Sequence, residues 1–153
     1  MESSTPVASA AGEPGRAVRS DLGPILDPTP LAVARYPAGW WPPPVTVQGF
    51  LGVVVEPGET TVVAAEPVLA GLPAPEAVER GWQRITFAGP LPWELVGFLA
   101  DVATRLAGAR IPFTSLSGFT TDHVLVRSAQ AEVAVAVLRG APTPDLRPNV
   151  TNP

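Results

Sequence analysis

The chain has 153 residues, 46% of them apolar, and a formal net charge of −4 at pH 7. We therefore expect a folded domain with a buried core, and the acidic balance argues against nucleic acid as a partner. All ten basic residues are arginine and cysteine is absent, which excludes disulfides, thiolate zinc sites and nucleophilic lysine or cysteine.

The sequence contains few side chains that could bind a metal or a cofactor. A single histidine, His123, cannot build a histidine metal cluster, and no cofactor motif occurs, so we expect neither metal nor cofactor. No run reaches about 18 apolar residues, so no membrane span is predicted. The first residues lack the basic and apolar regions of a signal peptide, and we therefore expect a cytoplasmic protein.

The two ends are rich in small residues and proline. We predict a disordered N-terminal tail over 1–29 and a flexible C-terminal tail over 141–153, because such segments bury too little apolar surface to offset the entropy of ordering. Between them, proline interrupts the stretch around Trp40 and Trp41, which is therefore not a regular helix. Runs rich in β-branched residues predict strands at 50–55 and 60–65, and 31–36 is a short strand candidate before them.

The second part gives clearer periodicity. Leu95, Leu99, Val102 and Leu106 form one apolar stripe, which predicts a helix over 93–108. Pro92 is favourable in the first turn of this helix, Glu94 is favourable at its positive N-terminal end, and Gly108 is a favourable C-terminal cap. The other predicted elements are strands at 80–87, 111–116 and 123–126, a turn at 117–122 and a helix at 129–139.

This order predicts an α+β fold with helices on one face of an antiparallel sheet. The second part, 78–140, contains most of a ferredoxin-like βαββαβ unit, and the first part, 30–77, a shortened version. Each half lacks one late strand. A sheet shared between the two halves, or between two chains, would supply it.

The segments Glu79–Leu91 and Ile111–Val126, with the helix between them, resemble ACT-domain proteins of the CASTOR/aspartate-kinase type. Relatives carry isoleucine-serine-x-aromatic-x-threonine-aspartate before an apolar strand, and Leu116–Asp122 fits that pattern. Gly118 and Thr120 depart from it, standing where relatives more often have threonine and aspartate. The resemblance implies two truncated tandem ACT-like halves sharing one sheet, and a homodimer through that sheet.

The resemblance also implies a non-catalytic regulatory module that binds an amino acid between the helix N-terminus at 89–94 and the strand–turn at 115–122. A helix start offers backbone N–H groups to a carboxylate, and hydroxyls with one carboxylate accept bonds from an ammonium group. The predicted contacts are Gly89, Pro90, Leu91, Ser115, Leu116, Ser117, Phe119, Thr120, Thr121 and Asp122.

Two other interpretations remain open. The polar residues of the turn can simply bond to the nearby backbone, and the helix start can be capped by water or Glu94. The chain would then be a protein–protein interaction or oligomerisation module with a degenerate ligand site, as the departures at Gly118 and Thr120 favour. A small carboxylate-dependent enzyme is a third alternative.

Overall fold

A computed structural model describes residues 22–44 and 49–142 of the chain. In chain order these residues form strands β1 (Pro24–Pro37), β2 (Leu51–Val55) and β3 (Glu59–Ala65), helix α1 (Glu66–Ala70), strand β4 (Ala77–Phe87), helix α2 (Phe98–Gly108), strands β5 (Phe113–Ser117) and β6 (Asp122–Arg127), a 3-10 turn (Ser128–Gln130) and helix α3 (Ala131–Leu138). One sheet contains all six strands in the order β2-β3-β1-β4-β6-β5, with antiparallel neighbours throughout. The α+β fold with an antiparallel sheet is confirmed.

Strands β1 and β4 lie at the centre of the sheet and belong to both halves of the chain. Elements β4, α2, β5, β6 and α3 supply a ferredoxin-like unit without its last strand, and β1 lies antiparallel to β4 in that strand's place. Elements β1, β2, β3 and α1 supply the shortened unit, and β4 occupies its last position. Each half therefore completes the other within one chain.

Strand β1 begins earlier than the sequence analysis predicts. Its first residues pair with the end of β4, where Asp27 lies opposite Arg84, and the Leu26 side chain packs against the core. The tail predicted over 1–29 is therefore wrong for residues 22–29. A register shift between Asp27 and Leu31 removes the intervening prolines from the regular ladder, which is how a strand accommodates them. The rest of that predicted tail, and residues 143–153 of the C-terminal one, lie outside the described residues.

Both faces of the sheet carry buried side chains. Helices α2 and α3 cover one cluster, which includes Ile85, Phe87, Val102, Leu106, Val124, Val126 and Leu138. A second cluster joins Leu69 of α1 and the half-buried Trp40 to Ala32, Ala34, Tyr36 and Val62. A third contains Leu31, Val63, Ala65 and Leu125, with Phe50, Trp82 and Leu116 packed against it.

The sheet curls over the third cluster, so that its two edges approach each other. The Phe50 ring, just before β2, meets the edge of the His123 ring on β6 at a centroid distance of 5.2 Å. A Cβ placed on Gly52 in β2 would lie 3.7 Å from Leu116 Cδ1 on β5. Leu116 consequently points into this curl.

Two helix predictions need correction. Helix α2 begins at Phe98 and not at Trp93, because Gly97 has a φ of +85°, which no α-helix accommodates. Leu95 therefore lies outside the helix, and only Val102 and Leu106 of the predicted stripe are fully buried. The short helix α1, directly after β3, was not predicted. Among the described residues no helix is long and apolar enough to cross a bilayer.

Candidate functional site

The loop between β4 and α2 is held against the turn between β5 and β6. The Leu91 backbone N–H donates to the Thr120 carbonyl at 2.8 Å, and the Thr121 hydroxyl donates to the Phe87 carbonyl at 2.8 Å. Within the turn, the Gly118 N–H donates to the Thr121 carbonyl at 2.9 Å. These bonds fix the two segments at one end of the sheet.

Glycine permits this close approach at two positions. A Cβ on Gly89 would lie 3.0 Å from the Thr120 carbonyl oxygen and 3.3 Å from Thr121 Cβ. A Cβ on Gly118 would lie 3.1 Å from the Thr121 carbonyl oxygen. Backbone atoms yield little at such distances, so a side chain at Gly89 would push the loop and the turn apart, and one at Gly118 would distort the turn itself.

An open cleft of about 420 Å³ lies between the loop and the turn. This volume falls in the lower part of the range for small-molecule sites. The cleft is lined by Leu91, Pro92, Trp93, Leu95, Phe98, Ser117, Gly118, Phe119, Thr120, Thr121 and Asp122. The Phe98 ring also packs edge to face on Phe87 at 4.9 Å, which connects the cleft to the core.

Two aromatic rings border the cleft. Trp93 and Phe119 meet edge to face with centroids 5.4 Å apart, yet they are 74% and 81% exposed. Trp40 lies elsewhere, stacked on Tyr36 at 3.7 Å. Neither tryptophan is buried in the cleft, so the space between loop and turn stays open to solvent.

The charge of the lining comes from Asp122 alone. Its Oδ1 accepts the Ser117 hydroxyl at 2.6 Å, and Ser117 and Asp122 face each other across β5 and β6. No arginine or histidine lines this cleft. In residues 22–44 and 49–142 no group of three or more His, Asp or Glu side chains could hold a metal ion.

Behind the turn, the His123 side chain on β6 packs within the sheet. Its Nδ1 lies 3.0 Å from the Thr86 hydroxyl oxygen. Burial lowers the pKa of His123 below its ordinary value and the charge of Arg84 lowers it further, against the opposing effect of Asp122. Both lowering effects favour the neutral imidazole, whose ring also packs against Phe50.

Arg84 belongs to a neighbouring cluster inside the curl. Its guanidinium lies 4.6 Å from the centre of the Phe50 ring and 2.7 Å from Asp27. Burial by itself raises the pKa of Asp27, but the hydrogen bonds from Thr29 and Arg84 outweigh that effect and the net pKa is lowered. This ion pair ties the start of β1 to β4 and does not reach the cleft.

The structure brings most of the predicted contacts together. Six of the ten line the cleft: Leu91, Ser117, Phe119, Thr120, Thr121 and Asp122. The other four do not line it. Gly89 and Pro90 precede the lining part of the loop, Ser115 lies further along β5 and Leu116 packs into the curl.

The helix start predicted at 89–94 is wrong, because these residues form an irregular loop. The first residue of α2, Phe98, borders the cleft instead. The prediction also missed Pro92, Trp93, Leu95, Phe98 and Gly118 as lining residues. For Trp93 and Leu95 the available signal was the density of apolar side chains between Pro92 and Gly97, which the helical stripe obscured.

Comparison with known proteins agrees with this architecture. The segment from β4 to the end of α3, residues 77–140, matches the family model of the ACT domain. This segment is similar to an ACT domain over its whole length. In it, β6 lies between β4 and β5, and the loop–turn cleft lies at one end of these strands. No curated protein sequence matches the chain.

Solved structures share the fold over most of the chain. A protein from Agobacterium tumefaciens is 24% identical with a TM-score of 0.66, over 79% of this chain and 90% of that one. A protein of unknown function from Vibrio cholerae is 27% identical with a TM-score of 0.55, over 78% and 88%. The ligand-free regulatory subunit of aspartate kinase from Thermus thermophilus is 14% identical with a TM-score of 0.51, over 80% and 98%. The narrower CASTOR-type resemblance stays a prediction.

Proposed function

We propose that the chain is a non-catalytic regulatory module whose ACT domain binds an amino acid in the loop–turn cleft. The observation that carries the proposal is the direct bond from the Leu91 N–H to the Thr120 carbonyl. Because of it, a ligand in the cleft touches the segment entering α2 and the turn entering β6 together. A regulatory subunit of aspartate kinase shares this fold, which supports a regulatory role.

The polar side of the cleft suits an amino acid. Asp122 and the hydroxyls of Ser117 and Thr120 line it, and they are acceptors for an ammonium group. The Thr121 hydroxyl is engaged with Phe87, so it positions the turn. In this proposal Gly89 and Pro90 shape the loop, and Ser115 and Leu116 support the turn from β5.

Calorimetric titration with each of the twenty amino acids tests the proposal. We expect at least one to bind, to raise the unfolding temperature and to change tryptophan fluorescence. Trp93→Phe should remove the fluorescence response because Trp93 borders the cleft. Trp41→Phe is the matched control, since Trp41 is 68% exposed and does not line the cleft. If none of the twenty binds, the proposal is wrong.

The second candidate is an oligomerisation module with a degenerate site. The exposed apolar side chains Trp93, Val96 and Phe119 favour it, because Val96 alone is 93% exposed and such patches often mark interfaces. A homodimer could also form through β5, whose outer edge has no paired strand among the described residues.

Light scattering over a range of concentrations separates these surfaces. Val96→Ser should abolish a dimer that uses the patch, whereas Val133→Ser on α3, a residue 41% exposed, should not. A dimer that survives Val96→Ser points to the β5 edge. A monomer at every concentration contradicts the oligomerisation candidate.

A further inference from the structure

The cleft has a pronounced chemical asymmetry. Its only charged lining residue is the Asp122 carboxylate, and six of its eleven lining residues are large apolar side chains or proline. Its local field is therefore negative, and an anion entering it meets no compensating positive side chain. A ligand with net negative charge is disfavoured by this arrangement, and a zwitterion or a cation is favoured.

The apolar residues form a continuous wall next to that carboxylate. Leu91 and Phe98 lie at the inner side, where both are half-buried, and Phe98 is backed by the buried Phe87. Trp93 and Phe119 extend the wall outward as a pair of rings. Covering these rings would remove apolar surface from water, which is favourable in proportion to the area covered.

Two backbone donors of the cleft already have partners within the protein. The Leu91 N–H bonds to the Thr120 carbonyl and the Gly118 N–H to the Thr121 carbonyl. These two N–H groups are therefore not free to bind a ligand carboxylate. The Asp122 carboxylate keeps acceptor capacity, because Ser117 uses one site on Oδ1 and a carboxylate offers about four lone-pair sites.

From these three features we infer that the ligand of this cleft is an amino acid with an uncharged apolar side chain, recognised mainly by its ammonium group on Asp122 and by its side chain on the Trp93–Phe119 wall. The inference rests on the proposed amino-acid function and specifies its ligand class. Amino acids with acidic side chains are disfavoured by charge, and small polar ones leave the wall uncovered.

Calorimetry with a charge-matched and shape-matched set tests this inference. The probes are phenylalanine, leucine, serine, glutamate, phenethylamine and 3-phenylpropionate. Phenylalanine or leucine should bind about tenfold or more tightly than glutamate or serine. Phenethylamine, which keeps the ammonium, should bind more tightly than 3-phenylpropionate, which keeps the carboxylate.

Two variants locate the determinants. Asp122→Asn keeps the acceptor for Ser117 while removing the charge, so the fold is retained; phenylalanine affinity should fall about tenfold, the difference expected between charged and neutral hydrogen bonds. Glu56→Gln removes one negative charge in the β2–β3 turn and should leave affinity unchanged. Phe119→Ser should weaken phenylalanine more than it weakens serine.

The outcomes separate a failure of the ligand class from a failure of the proposed function. If glutamate or serine binds more tightly than phenylalanine and leucine, or if Asp122→Asn binds phenylalanine as tightly as the native chain, the ligand class is wrong and amino-acid binding survives. If no amino acid of the full set binds, both the ligand class and the proposed function are wrong.

Discussion

Gly89 offers the sharpest single perturbation of the loop–turn contact. Substituting Gly89→Ala places a Cβ 3.0 Å from the Thr120 carbonyl oxygen and 3.3 Å from Thr121 Cβ. Both neighbours belong to a turn that is itself tied to Phe87 and Leu91 by hydrogen bonds. The added methyl group therefore meets atoms that cannot move without breaking bonds.

The cost can be estimated from the same contacts. Overpacking by one methyl group costs about 1–3 kcal/mol, and losing the Leu91–Thr120 bond would contribute about 1 kcal/mol of that. Replacing glycine also restricts the unfolded chain, which offsets about 0.4–1 kcal/mol. We expect a net loss of about 1–2 kcal/mol in the free energy of unfolding and a weaker affinity for any ligand of the cleft.

Chemical denaturation monitored by circular dichroism measures the stability, and calorimetry measures the affinity. Gly58→Ala is the matched control: nothing lies within 4 Å of its added Cβ, so it should lose no stability and should gain about 0.4–1 kcal/mol from the restricted unfolded chain. If Gly89→Ala and Gly58→Ala are equally stable, the close approach of loop and turn does not constrain this chain and the reasoning fails.

Three further predictions concern the rest of the fold. His123 has a pKa below its ordinary value of 6.5, so the native state loses stability as pH falls from 6.5 through the folded pKa. In His123→Asn this loss of stability should be smaller. Thermal melts of both proteins at neutral and mildly acidic pH measure the difference. Asp27 has a pKa below 3.8, so Asp27→Asn should lower the free energy of unfolding by about 1 kcal/mol at pH 7. Urea titrations should show that the stability difference between the two proteins vanishes as pH falls through the folded pKa. A stability difference that does not depend on pH would contradict this assignment. Leu106→Ala removes a fully buried side chain and should cost about 2–5 kcal/mol, whereas Leu95→Ala, at a site 46% exposed, should cost much less; equal denaturation midpoints would contradict the burial.

Local patterns predicted the strands well. The runs at 50–55 and 60–65 became β2 and β3 within one residue at each end, because β-branched side chains favour extended backbone wherever they pack. The predicted helix over 93–108 was less accurate. Its apolar stripe continued through Leu95, but Gly97 adopts a left-handed conformation that periodicity alone does not reveal.

The candidate cleft was partly predictable. The family resemblance pointed to the turn ending at Asp122 and to the segment around Leu91, and the structure places these two segments on either side of one cleft. Trp93 and Phe98 were missed as lining residues. Whether an apolar side chain enters the core or borders a cleft depends on which elements pack on it, and that information is non-local.

The sequence by itself determined the class of fold, the absence of thiol and lysine chemistry, and the approximate positions of the six strands, since each follows from composition or from contacts between near neighbours. Only the tertiary structure decided that β1 and β4 serve both halves, that residues 22–29 join the sheet, and that Leu116 points into the curl while Phe119 borders the cleft. These features depend on strand pairing between distant residues. The register of Asp27 with Arg84 joins residues far apart in the chain, and its stability comes from burial and an ion pair that exist only once the sheet has formed.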